Sequence, residues 1–433
     1  MKSSGRSAVP RMAQALVPRE MVSWAVVSVS LGAVEGGVVG VLVKNLFADV
    51  APPIWVNVAV ALVSGAPAFA NILSFAFAVY AQGRDKVSLL SRLLGWFSVA
   101  TLLIAVAPHS AGGLVLLTLG VIAARVFWSA SVTVRSAVWR ANFPRQVRAR
   151  ITGQMTTLSS LMIAITGGLI GLLLDYAPGQ YRWVWLFAAL AGGAAALIYR
   201  QARVRRHNLM LRREREQQGP VTLRQRWQQF GEVLSADRDF RNYMIGMFVF
   251  GSGNLMMLAP LIVILNDSFV LGRLEQVLIT STLPLIALAT TVPLWAPLLD
   301  GSHIIDYRAR QSWFFVAAIL FFTLAVIFGL EWLLWLGGVT LGVAYAGGNL
   351  GWNLGHNDFT DDRQATIYMG IHVTLTGLRG LIMPPLGVLF YEFLRHAGGG
   401  LQQYSLVLPL VLSTSGACWF VYLHRCRRRE GRV

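Results

Sequence analysis

Runs of about twenty apolar residues, the length that carries a helix across a bilayer core, recur twelve times along this chain of 433 residues. They fall near 22–43, 54–82, 89–107, 112–138, 151–176, 183–199, 242–265, 275–299, 311–329, 331–356, 365–391 and 403–424. Lipid offers no hydrogen-bonding partner, so each spanning backbone has to satisfy itself as a helix. The expected fold is therefore all-α and polytopic. Composition agrees: 55% of the residues are apolar and 13% charged, where a soluble domain has about a quarter charged. The first run is too long for a signal-peptide core and lacks a small-residue cleavage site, so it is expected to remain as a helix. The two cysteines, Cys418 in the last run and Cys426 in the tail, are too few for a disulfide framework or a zinc site.

The net charge of +17 would suit nucleic acid only as a basic face on a soluble module, and here the arginines lie between the spans. Of 37 Lys and Arg, 30 fall in the N-terminus, every second loop, the central loop and the tail. The alternate loops hold Lys44, Arg182, Arg273 and Arg395, and three arginines (Arg125, Arg135, Arg379) lie within spans. By the positive-inside rule both termini are cytoplasmic in a multi-pass protein of the cell membrane. The divisions that follow are a segment 1–21, a six-helix bundle 22–199, a basic linker 200–241, a second bundle 242–424 and a tail 425–433. Within the linker, Arg205, Arg206, Arg212, Arg213, Glu214, Arg215 and Glu216 form a charge run suited to solvent or anionic lipid. After Pro220, Thr222 and Gln225 have capping-box spacing, and Leu223, Trp227, Phe230 and Leu234 share one face. That helix either lies on lipid or packs on the membrane domain. Trp24, Trp183, Trp185, Trp332 and Trp335 lie near span ends, as an interfacial belt would.

The halves repeat. Aligning Gly153 with Gly370 places Gly167-Gly168 on Pro384-Pro385 and Asp175 on Glu392. The loop after the second span reads Ala81-Gln82-Gly83-Arg84-Asp85-Lys86, and its counterpart reads Ala296-Pro297-Leu298-Leu299-Asp300. The fourth span carries Arg125-Val126-Phe127-Trp128-Ser129-Ala130-Ser131, and the fifth carries Thr166-Gly167-Gly168-Leu169-Ile170-Gly171. With six plus six spans, both ends inside and a long basic central loop, the whole chain resembles the major facilitator superfamily. Asp85 and its basic neighbours match the superfamily's Gly-x-Leu-x-Asp loop without its leucine, and the second copy keeps leucine and acid. Arg125 and its small-residue run match the fourth-span pattern, with Ser129 in place of glycine; the Gly-Pro motif of antiporters is missing from the fifth. The resemblance implies two bundles rocking about a central cavity lined by the first and fourth helices of each half. It also implies that the cytoplasmic loops, with Arg84, Asp85, Asp300 and Arg308, take part in gating.

The charged residues within spans are the candidates for function, because such groups are costly in lipid. At about 1.5 Å of rise per residue, Glu35, Arg125 and Arg379 each lie about 20 Å from the cytoplasmic end of their helices. Glu35 and Arg125 are placed to pair, either as a proton-coupling switch or as a permanent structural salt bridge. Arg379 has no acidic partner among the spans, so two positive charges face one negative, a surplus that suits an anionic substrate. His372 and Thr376, seven and four residues earlier, share its face. The alternative is that Arg379 bonds carbonyls freed near Pro384-Pro385 and that His372 is a packing residue. Asn254 and Trp128 are further candidates for substrate contact, whereas Asn71 suits helix packing. Asn353 and His356, with Asn349, suggest a cytoplasmic gate and helix cap rather than a cation site, with Asp361 or Asp362 opening the eleventh span.

No convergent catalytic set lies in the spans, so no enzyme is expected, and no cofactor or metal is implied. The function expected is secondary transport of a small organic anion by alternating access, coupled to protons, in a monomer whose other partner is the lipid bilayer and not nucleic acid. The alternatives are proton-linked efflux of hydrophobic or cationic compounds and a non-transporting scaffold or receptor.

Overall fold

The computed structural model describes residues 11–143, 145–204, 207–216, 223–360 and 364–431. Arg205, Arg206, Pro220, Thr222, Asp361 and Asp362 lie outside the described residues. Among those described, twelve helices are long and apolar enough to cross a membrane. In chain order these spans are Leu16–Leu46, Pro53–Leu73, Lys86–Val106, Ala111–Trp139, Ile151–Tyr176, Pro178–Arg200, Arg238–Ser268, Arg273–Asp300, Ile304–Phe328, Glu331–Asp358, Ile367–Ala397 and Leu401–Arg429. An even number of crossings brings both termini to one face, the terminus face; the opposite one is the far face.

Packing follows the repeat. In the first half, spans one and five, one and six, two and four, three and four, and three and six are neighbours; in the second, seven and eleven, seven and twelve, eight and ten, nine and ten, and nine and twelve. Each pair recurs six spans later. The halves meet along span two against eleven and span five against eight.

The offset of 217 positions from Gly153 to Gly370 also relates contacts across that seam. A methyl at Gly65 would lie 2.8 Å from the Pro384 ring, and the positions matched to those two are Thr282 and Gly167, where a methyl on the glycine would lie 3.3 Å from the threonine Oγ1. Small residues let the backbones approach this closely, which is how helices gain contact in lipid, where apolar surface alone gives no drive to associate.

Three spans are interrupted. The first is two helices, Arg11–Ala33 and Gly36–Leu46, with Glu35 extended between them at φ −67° and ψ 136°. Gly32, Gly36 and Gly37 cluster at that break. Glycine weakens a helix by about 1 kcal/mol relative to alanine, and a methyl at Gly36 would lie 2.9 Å from the Ser64 carbonyl oxygen of span two. The second span passes through a tight turn at Ala70–Leu73 just after Pro67, and the helix resumes over Ser74–Ala81. The eighth widens at Leu278–Thr282 just before Pro284, the counterpart of Pro67 under the same offset. Each proline removes one N–H from the helical ladder, and the local backbone adjusts to it.

Among its described residues the linker contains two helices, His207–Glu216 and Leu223–Ala236. Glu214 accepts from the Gly83 amide at 2.7 Å and from Lys86 Nζ at 2.6 Å, which pins the first helix to the loop after span two. Phe230 of the second helix is buried, and its ring lies 3.2 Å from where a methyl on Gly370 would be. Its neighbour Trp227 is 62% exposed. The expected tryptophan belt holds only in part: Trp183 and Trp332 are exposed, but Trp185 is fully buried and Trp24 lies tilted against Trp128, ring centres 5.0 Å apart, inside the first bundle. Span ends that pack on neighbouring helices bury their aromatics.

Candidate functional site

The break in the first span leaves the Val34 carbonyl and the Glu35 carboxylate projecting beside the fourth span. Arg125 takes both: Nε donates to Val34 O at 2.8 Å and Nη2 to Glu35 Oε2 at 2.7 Å. The guanidinium fork thus caps a carbonyl left over at the end of a helix and neutralises an acid in the same stroke. The Arg125 side chain is 6% exposed and that of Glu35 is 26%, so the acid is the member of the pair with access. Beside them, Ser129 bridges Asn71 at 3.4 Å and Ser74 at 2.8 Å, joining span four to the bend in span two. Trp128 packs between Trp24 and Phe97, whose ring centres lie 5.0 and 6.0 Å away.

Arg379 is 3% exposed and points into its own bundle. Its donors go to Met247 O of span seven, to Leu375 O at 3.3 Å and to Thr376 Oγ1 at 2.9 Å. Gly251 makes room for it, since any side chain there would overlap the guanidinium. The carbonyl it bonds across the helix contact therefore belongs to span seven, not to the turns around Pro384-Pro385. Thr376 also accepts from Trp352 Nε1 at 3.3 Å, and His372 is fully buried with its ring 5.7 Å from that of Trp352. Asn254 accepts from Ser413 Oγ of span twelve at 3.1 Å.

At the terminus face, Asp85 caps the third span, accepting from the Val87 and Ser88 amides at 2.9 and 3.3 Å, and Arg84 lies over Tyr80. Asp300 ends the eighth span exposed. Arg308 is buried, bonded to Gln311 Oε1 at 2.7 Å and Gly348 O at 3.2 Å, and Asn353 bonds Asn349 O one turn back on its own helix. The structure thus joins Glu35 to Arg125 and gathers Arg379, Thr376 and His372, while Trp128 and Asn254 pack within their own bundles.

Beyond the matched acids Asp175 and Glu392, no pattern in the sequence marks the far face. Lys44 Nζ, 7% exposed, lies 2.9 Å from Asp267 Oδ1 of the other half and donates to Asn57 Oδ1 at 3.0 Å. Asn57 in turn donates to Glu392 Oε1 of the eleventh span, whose other oxygen pairs with Arg395 at 2.7 Å. Asn45 bridges Asn266 and Gln276, and a cavity of about 440 Å³ opens among Lys44, Asp267, Tyr391 and Arg395. At the other seam Asp175 accepts from the Arg273 and Leu274 amides at 2.7 and 2.9 Å, capping the eighth span from the fifth. The two acids matched by the internal repeat do the same work. Glu392 meets Asn57 and Asp175 meets Leu274, and Asn57 and Leu274 are themselves matched positions. The repeat alignment was the one signal in the sequence that pointed here.

A model of the Major Facilitator Superfamily matches residues 55–384. The chain belongs to the Major Facilitator Superfamily. It is a membrane transporter by fold and family, with two pseudo-symmetric six-helix bundles. Its fold is shared with solved structures at low identity. A D-xylose–proton symporter superposes with a TM-score of 0.73 at 10% identity, covering 94% of this chain and 97% of that one. A mutant of the nucleoside transporter NupG gives 0.66 at 11%, covering 95% and 100%. A bacterial homologue of the human lysosomal transporter Spinster, inward-facing and occupied, gives 0.63 at 14%, covering 96% and 97%. No curated protein sequence matches the chain.

Proposed function

We propose that this protein moves a small organic anion across the cell membrane in step with a proton, with both termini in the cytoplasm. The observation that carries the reading is the Arg125–Glu35 pair at the break in the first span. A buried arginine deprived of its only acid is destabilised by roughly 3–5 kcal/mol. Protonation of Glu35 alone would therefore strand Arg125, and an anion on Arg125 beside an ionised Glu35 would leave an excess negative charge. Proton and anion bind well only together: the solute's acid group takes the place of Glu35 on the guanidinium while Glu35 holds the proton. When the opposite face opens, the proton leaves, Glu35 takes Arg125 back and the solute is expelled. The orientation rests on the Lys and Arg distribution.

A second reading, transport of a neutral polar solute, is favoured by one observation: the Arg379 donors are taken up by Met247, Leu375 and Thr376. Uptake of labelled small carboxylic acids, sugars and nucleosides into proteoliposomes under an imposed pH gradient separates the two. Accumulation of an acid supports the anion reading. Accumulation of only sugars or nucleosides overturns it in favour of the second, and accumulation of only cationic compounds overturns both.

A further inference from the structure

The second bundle buries a set of polar side chains for which the Glu35–Arg125 cycle has no use. Tyr243 of span seven, Arg308 of span nine, His356 of span ten, and His372 and Arg379 of span eleven are all at most 7% exposed. Arg308 and Arg379 form no ion pair among the described residues. Arg308 Nε, His356 Nδ1 and both ring nitrogens of His372 are buried with no hydrogen-bond partner there, and Tyr243 Oη has the Arg308 guanidinium beside it. Buried polar atoms are ordinarily paired, and several unpaired ones in one place need an explanation.

These groups converge. The rings of Tyr243 and His372 are 6.5 Å apart. A methyl at Gly351 would lie 3.0 Å from the Arg308 guanidinium carbon, and one at Gly355 would lie 3.1 Å from Tyr243 Oη. Gly351 and Gly355 are one turn apart on the tenth span, so the two polar tips rest on successive turns of one helix, about 6 Å of rise. Their chemistry leans toward donors. Tyrosine offers an O–H, Arg308 its Nε–H and each imidazole one N–H, while the acceptors are the remaining ring nitrogens and the tyrosine oxygen. Two guanidinium charges with unspent donors around them are complementary to an oxyanion.

We propose that Tyr243, Arg308, His356 and His372 form an internal site for a carboxylate or phosphate group, with Arg379 supplying a second buried positive charge. The proposal deepens the anion reading and rests on it only for the source of the oxyanion, a transported acid held here on its way to or from Arg125 or a free anion.

The test is thermal unfolding of the purified full chain in detergent, titrated with sodium acetate or sodium phosphate against sodium chloride at equal ionic strength. Wild type shows a saturable rise in melting temperature with one of the oxyanions. Tyr243→Phe and His372→Gln each raise the half-saturating concentration about tenfold, the loss of one charge-assisted bond. No oxyanion-specific rise in wild type overturns the site, whether or not the variants fold. Equal responses of wild type and both variants also overturn it and assign the cluster to ordered water. Competition between phosphate and a transported acid supports the site and identifies the solute as its source; binding without competition supports it with a free anion. Arg125→Ala, which removes the other anion-binding guanidinium, keeps the oxyanion-specific rise while solute transport fails, so the site and the anion reading fail separately.

Discussion

The far-face contacts set how firmly the described conformation is held, and the two repeat-related acids can be removed together. Asp175→Ala deletes an exposed carboxylate from the start of the eighth span. A charge at an exposed helix N-terminus is worth about 0.3–1 kcal/mol, so its two amide bonds are taken at about 1 kcal/mol. Glu392 is 2% exposed, and its bond to Asn57 crosses between halves, whereas its pairing with Arg395 does not. A buried bond to a charged group contributes about 1.5–3 kcal/mol, taken here as about 2. The acids sit on opposite seams with no shared partner, so the losses add to roughly 3 kcal/mol. At 1.4 kcal/mol per tenfold, the double variant shifts the balance toward far-face opening roughly 100-fold. Spin labels at Trp183 and Phe328, 68% and 66% exposed near the far ends of spans six and nine, report this by pulsed EPR once Cys418 and Cys426 are replaced by serine. The expected result is a longer distance that becomes the major population. A distance distribution superposable on the parent's would show that the acids do not hold the halves together.

Other outcomes follow from single contacts. Gly251→Ala places a methyl in the space of the Arg379 guanidinium; overpacking of this kind costs about 1–3 kcal/mol, which differential scanning fluorimetry would register as a lower melting temperature. Glu214→Gln removes the acid from Lys86; the partly exposed pair contributes at most about 1 kcal/mol, so global stability holds while hydrogen exchange in 207–216 accelerates. His303 caps the ninth span by accepting from the Ile305 amide at 3.2 Å, and burial, followed by the nearby Arg427 charge, pushes its pKa below the ordinary imidazole value. The unfolded chain then binds the proton more readily, so this contribution to stability is present above about pH 6.5 and declines as pH falls. In His303→Gln the melting temperature loses that part of its acid dependence; an unchanged profile would contradict it.

Much of the fold was legible because lipid imposes one rule on every span, and the twelve apolar runs obey it. The Glu35–Arg125 pair was legible for a related reason: two charges at one depth in one bundle have few other partners. The break that lets Arg125 also cap Val34 was not, although Gly32, Gly36 and Gly37 flank it, because glycines within a span suit close helix packing and interruption equally well. Arg379 shows the limit most plainly. Depth along a helix follows from counting residues, but rotation about the axis does not, and rotation sends its donors to Met247. Lys44 and Asp267 carry no local pattern, being joined only when the two halves meet. Asp175 and Glu392 were visible as matched acids, and what they touch required the fold.

The central claim is that Glu35 carries the coupled proton, and the direct test is proton movement in proteoliposomes loaded with a pH-sensitive dye when a transported solute is added. Wild type takes up protons with the solute. Glu35→Gln, a permanent mimic of the protonated acid, is expected to exchange labelled solute across the membrane while moving no protons. Proton uptake by Glu35→Gln at the wild-type rate would contradict the account, since the proton would then travel on some other group.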